Sequence, residues 1–332
     1  MNKILLFASL LVGVLLTACS NDFEVNAKWK DIPVVYGLLD LADSAHYIRV
    51  ERAFLDPKAD ALELAKNPDS IYYENAIVTL ERLSNNQIFT LTKVDGNTWG
   101  HPREDGVFAT APNWLYRIDS AVLLLKAGEK IRLHIDRGNG LPDVTSQTVI
   151  VAPSVLLSPS GTNSTLNFTS KTTDISWKAA DSAFIFDANL YVNYAEYVVG
   201  DPGNITYHSI KWPWAKGLRR ESNNNSFTVE KDGTEFFDLI KNNIPVDQNK
   251  KRIFQGIDLE LISGGQYLEN YVSVTLANTG ITSSGEIPTY TNMSEGLGIF
   301  DAVNKFWRYN IGLDNKSRDS LKMGYRTANL NF

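Results

Sequence analysis

Cysteine is nearly absent: Cys19 is the only one in 332 residues. No disulfide can form within the chain, and beyond Cys19 there is no thiol for nucleophilic catalysis. Histidine is almost as scarce. His46, His101, His134 and His208 are dispersed, with no i,i+4 pair and no His-Glu-x-x-His run, so no metal site or other cofactor is expected. A Gly-x-Ser-x-Gly elbow and a phosphate-binding glycine loop are both missing. Positive charge is not in excess: the formal net charge is −6, which removes the electrostatic footprint of a nucleic-acid binder. After residue 16 no apolar run approaches the ~18 residues of a membrane-spanning helix.

One apolar run is present, at the N-terminus. Ile4 to Leu16 is interrupted only by Ser9 and Gly13 and follows Lys3. As a helix it would rise about 20 Å, short of a ~30 Å hydrocarbon core. A basic start, a short apolar centre and small residues at the exit describe a secretory signal peptide over residues 1–18. Leu16-Thr17-Ala18-Cys19 resembles the lipobox of bacterial lipoproteins. That resemblance implies cleavage before Cys19 and lipidation of its sulfur and amine. Two or more acyl chains, at about 0.8 kcal/mol per buried methylene, hold a protein on a bilayer where one does not. Residues 19–31 then read as a lipidated tether. Its acids Asp22, Glu24 and Asp31 resemble the signal that sends Bacteroidota lipoproteins to the outer face of the outer membrane.

Downstream the pattern is mainly β. Val34 to Leu39 and Tyr47 to Arg52 read as paired strands, and Ala59 to Ala65 as an inserted helical segment closed by Asn67-Pro68-Asp69. Ala76–Glu81 and Ile88–Leu91 flank the hairpin turn Ser84-Asn85-Asn86-Gln87. Val122–Leu125, Lys130–Ile135 and Thr145–Val151 complete a set of short strands with turn signals between them. This spacing predicts an immunoglobulin- or fibronectin-like β-sandwich over residues 32–152. The Ser-, Pro- and Gly-rich stretch 153–165 reads as a linker. Residues 166–332 read as a second β-rich domain with a few helices. Its strands include Ala183–Tyr197, Ile205–Ile210 and Arg252–Ile262, and Tyr325–Phe332 reads as a last strand. Thr234–Asn242 and Gln266–Leu276 carry helical spacing.

The segments Val34-Val35-Tyr36-Gly37-Leu38-Leu39, His46-Tyr47-Ile48-Arg49-Val50 with Ala53-Phe54-Leu55, Pro288–Met293 and Glu295–Phe300 are similar to those of a Bacteroidota outer-membrane lipoprotein family of unknown function. Genes of that family often lie near TonB-dependent receptors. The resemblance covers most of residues 19–332. It implies an address and a receptor partner, and it carries no catalytic residue across. Asp-Ser followed by Ala, Ile or Leu occurs at Ser44, Ser70, Ser120, Ser182 and Ser320, and resembles the O-glycosylation acceptor of exported Bacteroidota proteins. Asp-Ser is equally a turn and helix-cap pair.

Two aromatic segments, both read as loops, are candidate contacts. Trp212 and Trp214 flank Pro213 beside Lys211, Lys216, Arg219 and Arg220, and could stack on a ligand, anchor a partner protein or cap a core. Trp99-Gly100-His101-Pro102, with Trp114, is expected to be buried. Dispersed carboxylates could form a glycosidase pair if two met at ~5–9.5 Å. The expectation is a non-enzymatic, lipid-anchored outer-membrane protein, on the cell surface rather than the periplasmic face, accessory to a TonB-dependent transporter. The alternatives are an envelope structural, assembly or adhesion factor, and a glycan-active hydrolase.

Overall fold

The computed structural model describes residues 30–55, 60–221, 224–277 and 289–332. Cys19, the signal-peptide region and the tether up to residue 29 lie outside them, as do Asp56-Pro57 and Pro288. The chain is mainly β, as its alternating sequence predicts. In order it forms β1 (Lys30–Asp40), β2 (Ala45–Leu55), β3 (Ile77–Arg82), β4 (Gln87–Thr90), β5 (Thr92–Asp95), β6 (Trp114–Asp119), β7 (Lys130–Asp136) and β8 (Val144–Val149). There follow β9 (Val155–Ser158), β10 (Thr165–Leu166), β11 (Thr172–Lys178), β12 (Ile185–Val198), β13 (Thr206–Arg219), β14 (Ser226–Asp232), β15 (Lys250–Gly264) and β16 (Leu297–Leu313). Interspersed are the helices α1 (Ala61–Ala65), α2 (Pro68–Ile71), α3 (Ser120–Leu123), α4 (Thr234–Asn243), α5 (Gln266–Ala277) and α6 (Asn315–Met323). No helix among the described residues is long and apolar enough to cross a membrane.

A nine-stranded sheet organises the molecule, in the order β13-β12-β15-β16-β1-β2-β6-β5, with β10 paired to β16. It draws strands from both halves of the sequence. The expected boundary at 153–165 therefore marks no break between sheets: β1 pairs in parallel with β16, and β9, inside that stretch, pairs with β11. The physical reason is that β1 is apolar on its core-facing side and needs hydrogen-bonding partners on both edges, which β2 supplies on one side and β16 on the other. Gly298 permits this pairing. Its φ is +115°, and a Cβ there would overlap the Val35 carbonyl.

Period-2 burial sorts the side chains of β1. Val35 and Leu39 are fully buried, whereas Tyr36 and Leu38 are each 40% exposed on the opposite face. The core-facing side packs against the antiparallel sheet β4-β3-β7-β8, and Val35 and Ile48 share one hydrophobic cluster with Leu80, Leu133, Leu190, Leu259 and Phe300. Each such side chain contributes about 1.5–3 kcal/mol on burial. The smaller sheet β14-β11-β9 adds Trp177, stacked on Phe227 with centroids 5.4 Å apart.

Three further local expectations are corrected. Val122–Leu125 is not a strand: Asp119-Ser120 opens α3, which ends at Leu124 in the left-handed conformation. Tyr325–Phe332 is not a strand either; it holds a 3-10 turn at Ala328–Leu330. Buried Arg252 fixes that segment by donating to the carbonyls of Leu330 (2.6 Å) and Pro245 (3.0 Å). The expected tether ends sooner than residue 31, since Lys30 and Asp31 already belong to β1. Asp31 is engaged in a buried ion pair with Arg137 at 2.7 Å and accepts from the Tyr73 hydroxyl at 2.5 Å.

Candidate functional site

The outward face of the large sheet carries a cleft of about 800 Å³. Its floor is built by strand alternation: Tyr36 and Leu38 from β1, Tyr47 and Arg49 from β2, Leu115 from β6 and Lys305 from β16. One wall is the loop after β5, where Trp99 and His101 stand. Local hydrogen bonds shape that loop. Asp95 accepts from the backbone N–H groups of Asn97 (3.1 Å) and Asn113 (3.0 Å). The Gly96 N–H donates to the Asn113 carbonyl at 2.7 Å, and the buried Asn113 amide donates to the His101 carbonyl at 2.7 Å. The Asp95-Gly96-Asn97 segment is thus a turn.

The rings are held in place. His101 lies on Tyr47 with centroids 4.1 Å apart. Trp99 is 47% exposed, and the Arg117 guanidinium sits 4.2 Å from its centroid. Arg117 also donates to Tyr47 Oη at 3.3 Å and to Asp119 at 2.9 Å. Tyr36 has its pKa raised, first by burial and then by the neighbouring Tyr271 hydroxyl from α5.

The cations here are matched by carboxylates. Arg49 donates to Glu51 at 2.8 Å and to Asn113 Oδ1 at 2.9 Å. Lys305 lies 3.7 Å from Asp40 and 3.8 Å from Asp43. Burial pushes the Asp40 carboxyl up, against the opposing pull of the Ala42 N–H. Asp43 is the one carboxylate lining the cleft among the described residues. The arrangement suits capture of an uncharged, flat-faced molecule by ring stacking.

Beneath the cleft, Ser120 Oγ lies 3.1 Å from His46 Nε2. The polarity of this contact decides its chemistry. The single Ser120 hydroxyl proton goes to the Asp43 carbonyl, so Ser120 Oγ accepts from Nε2–H. His46 Nδ1 is then the bare nitrogen, buried without a partner. Desolvation lowers the His46 pKa, with Asp43 pulling the other way. A nucleophile–base pair requires the reverse arrangement, with the histidine accepting the serine proton. No group of three or more His, Cys, Asp or Glu side chains able to hold a metal is found among the described residues.

The tryptophans expected on a loop lie in strand β13. Trp212 is 6% and Trp214 3% exposed. Alternation turns both inward, where Trp212 packs on Phe168 and Phe236 and Trp214 donates to the Val229 carbonyl at 3.0 Å. Pro213 between them is tolerated because β13 is the sheet edge. Arg220 stacks on Phe184, and Arg219 reaches Glu269 at 3.6 Å. None of these four residues lines the cleft. Of the candidate serines, Ser44 is exposed beside the cleft. Ser70, Ser182 and Ser320 are half-buried, and the Ser120 hydroxyl is spent on the Asp43 carbonyl. Cys19 lies outside the described residues.

Sequence reasoning expected Trp99 to be buried. The sequence signal against that is its setting: Gly100, Pro102 and the polar run Arg103-Glu104-Asp105-Gly106. Trp307 and Tyr309 on β16 carry no sequence signal of exposure, because a Trp-x-Tyr with period-2 spacing fits either face of a strand.

No family model matches the chain, and no curated protein matches it. Among solved structures it is similar to the C-terminal globular domain of an oligosaccharyltransferase from Pyrococcus abyssi, at 12% identity and a TM-score of 0.23. The match takes in 71% of this chain and 46% of that one, so the chain spans less than half of that structure. A likeness at this level carries no argument about fold or activity.

Proposed function

We propose that this chain is a non-enzymatic lipoprotein of the outer membrane, anchored through Cys19. In this reading it captures a solute in the Trp99 cleft and hands it to a TonB-dependent receptor at the cell surface. The observation that supports the reading is the cleft itself: exposed Trp99 braced by Arg117, beside the Tyr47–His101 pair, with its cations already neutralised. Such a surface binds by stacking and needs no cofactor. The lipobox at Leu16–Cys19 and the resemblance to Bacteroidota lipoproteins supply the address. The finer fold reading, an immunoglobulin-like sandwich, belongs to the same proposal. It is supported by the antiparallel sheet β4-β3-β7-β8 sharing a core with β1 and β2.

Affinity purification of the full chain from intact outer membranes tests the proposal. A TonB-dependent receptor recovered in stoichiometric amount, and lost to the Cys19→Ser variant, is the expected result. Recovery of an envelope assembly machine instead, or protection of the protein from protease added to whole cells, overturns it.

A further inference from the structure

The outward face of the sheet continues past the cleft. On β16, Lys305 forms part of the cleft lining, and period 2 brings Trp307 and Tyr309 to the same side. Those two rings are parallel within 2°, with centroids 5.6 Å apart. Tyr191, on β12, joins them at 5.4 Å from Trp307. Tyr309 is 59% exposed. The strand rise puts Tyr309 about 13 Å beyond Lys305. Rings thus stand in two groups on one face of a rigid sheet, Trp99, His101 and Tyr47 in the cleft and Tyr191, Trp307 and Tyr309 beyond it, with Leu38 and Lys305 between the groups.

Polar groups beside these rings point to the ligand's charge. Glu260 accepts from the Tyr191 hydroxyl at 2.9 Å and from Asn189 at 3.1 Å. Asp258 accepts from Asn193 at 2.8 Å and from the Asn310 N–H at 2.9 Å. Both carboxylates are oriented by neutral donors; Glu260 is buried, and half-buried Asp258 is the one that offers an acceptor to a hydroxyl group. One cation, Lys211, stands 5.6 Å from the Tyr191 ring centroid, so the two carboxylates outnumber it and an anion is disfavoured, while the cations of the cleft are already paired. A molecule that is uncharged, rich in hydroxyls, apolar on one face and long enough to cross the sheet is a linear neutral glycan.

The geometry points to a second saccharide subsite at Trp307 and Tyr309, in register with the Trp99 cleft, so that one neutral glycan chain occupies both. This rests on the cleft being a solute site, as proposed above, and names the solute class. Nothing in the core depends on the exposed Tyr309 ring, which makes its removal a clean test.

The test uses the full chain in detergent micelles and a panel of linear neutral oligosaccharides, gluco-, manno- and xylo-configured, from trisaccharide to heptasaccharide, with uronic-acid oligomers alongside. Calorimetric titration should show affinity rising with length for at least one neutral series. Tyr309→Ala and Trp307→Ala should each weaken the heptasaccharide about tenfold, as expected for one stacking contact, and leave the trisaccharide within about twofold. Trp99→Ala should weaken both lengths. Affinity that does not rise with length, heptasaccharide binding unchanged in Tyr309→Ala, preference for the uronic-acid series, or no binding in any series overturns the inference. Receptor recovery from membranes is read separately, so the transport-accessory reading can stand when the glycan inference falls.

Discussion

The Arg117 guanidinium lies 4.2 Å from the centroid of the exposed Trp99 ring, and Asp119 on the same strand holds Arg117 there. An exposed cation–π contact contributes about 0.5–1 kcal/mol. Loss of that contact in Trp99→Ala should therefore change unfolding free energy by about 1 kcal/mol, measured by urea denaturation, and Arg117→Ala, which also loses its bonds to Tyr47 and Asp119, by more. Both should impair ligand capture. A large loss of stability in Trp99→Ala would show that the ring is structural.

Trp212 presents the opposite case. Its ring is buried among Phe168, Phe236 and Trp214. Trp212→Ala should cost about 3–5 kcal/mol through the cavity left behind. Protein that remains folded should bind ligand normally. A surface-contact role would give the reverse, unchanged stability with lost binding.

Gly298 lets β16 approach β1. Gly298→Ala places a methyl group into the Val35 carbonyl and demands φ +115° of an L side chain. The expected result is loss of soluble folded protein on expression. Gly106→Ala, at an open loop position, is the control and should express normally.

The Glu196 carboxylate meets Lys250 and the fully buried Arg252. Burial works to raise its pKa, but the two cations outweigh it and hold Glu196 below its ordinary value of 4.5. The folded value lies under the unfolded one, so this group's contribution is fully present above about pH 4.5 and is lost as pH falls through the folded value. Glu196→Gln should lower stability at neutral pH and flatten the acid limb of the stability curve. Arg252→Ala should cost about 3–5 kcal/mol by leaving Glu196 short of a partner. It should also free the segment around Leu330, read as faster limited proteolysis there.

Glycan on native protein, if carried at the Asp-Ser-Ala sequences near the cleft, should sit on exposed Ser44 rather than Ser120. Intact-mass comparison of Ser44→Ala and Ser120→Ala checks this. A mass loss confined to Ser120→Ala would contradict the bonding of its hydroxyl to the Asp43 carbonyl.

Much of the fold was legible because alternation is a local signal. Tyr47 to Arg52, Lys130 to Ile135 and Arg252 to Ile262 read as strands, and all are strands. Which strand joins which is not local. Nothing in Val34–Leu39 announces Leu297–Ala302 as its neighbour, so the sheet crosses what composition marked as a linker. The site was half legible for the same reason. Trp212-Pro213-Trp214 looked like a loop because proline usually breaks strands, but an edge strand leaves that missing N–H without consequence. Trp99, the hairpin carrying Tyr36 and Tyr47, and Trp307 come from three distant stretches, and only strand order assembles them on one face.

The parallel pairing of Val35 with Gly298 also dictates timing. A ribosome emits β1 long before β16 exists, so one edge of β1 stays unsatisfied until nearly all the described chain has been made. Closure of the central sheet is consequently a late event with costly loop formation. If the chain is exported as proposed above, it would still be open while a translocon threads it, the state that passage across a membrane requires.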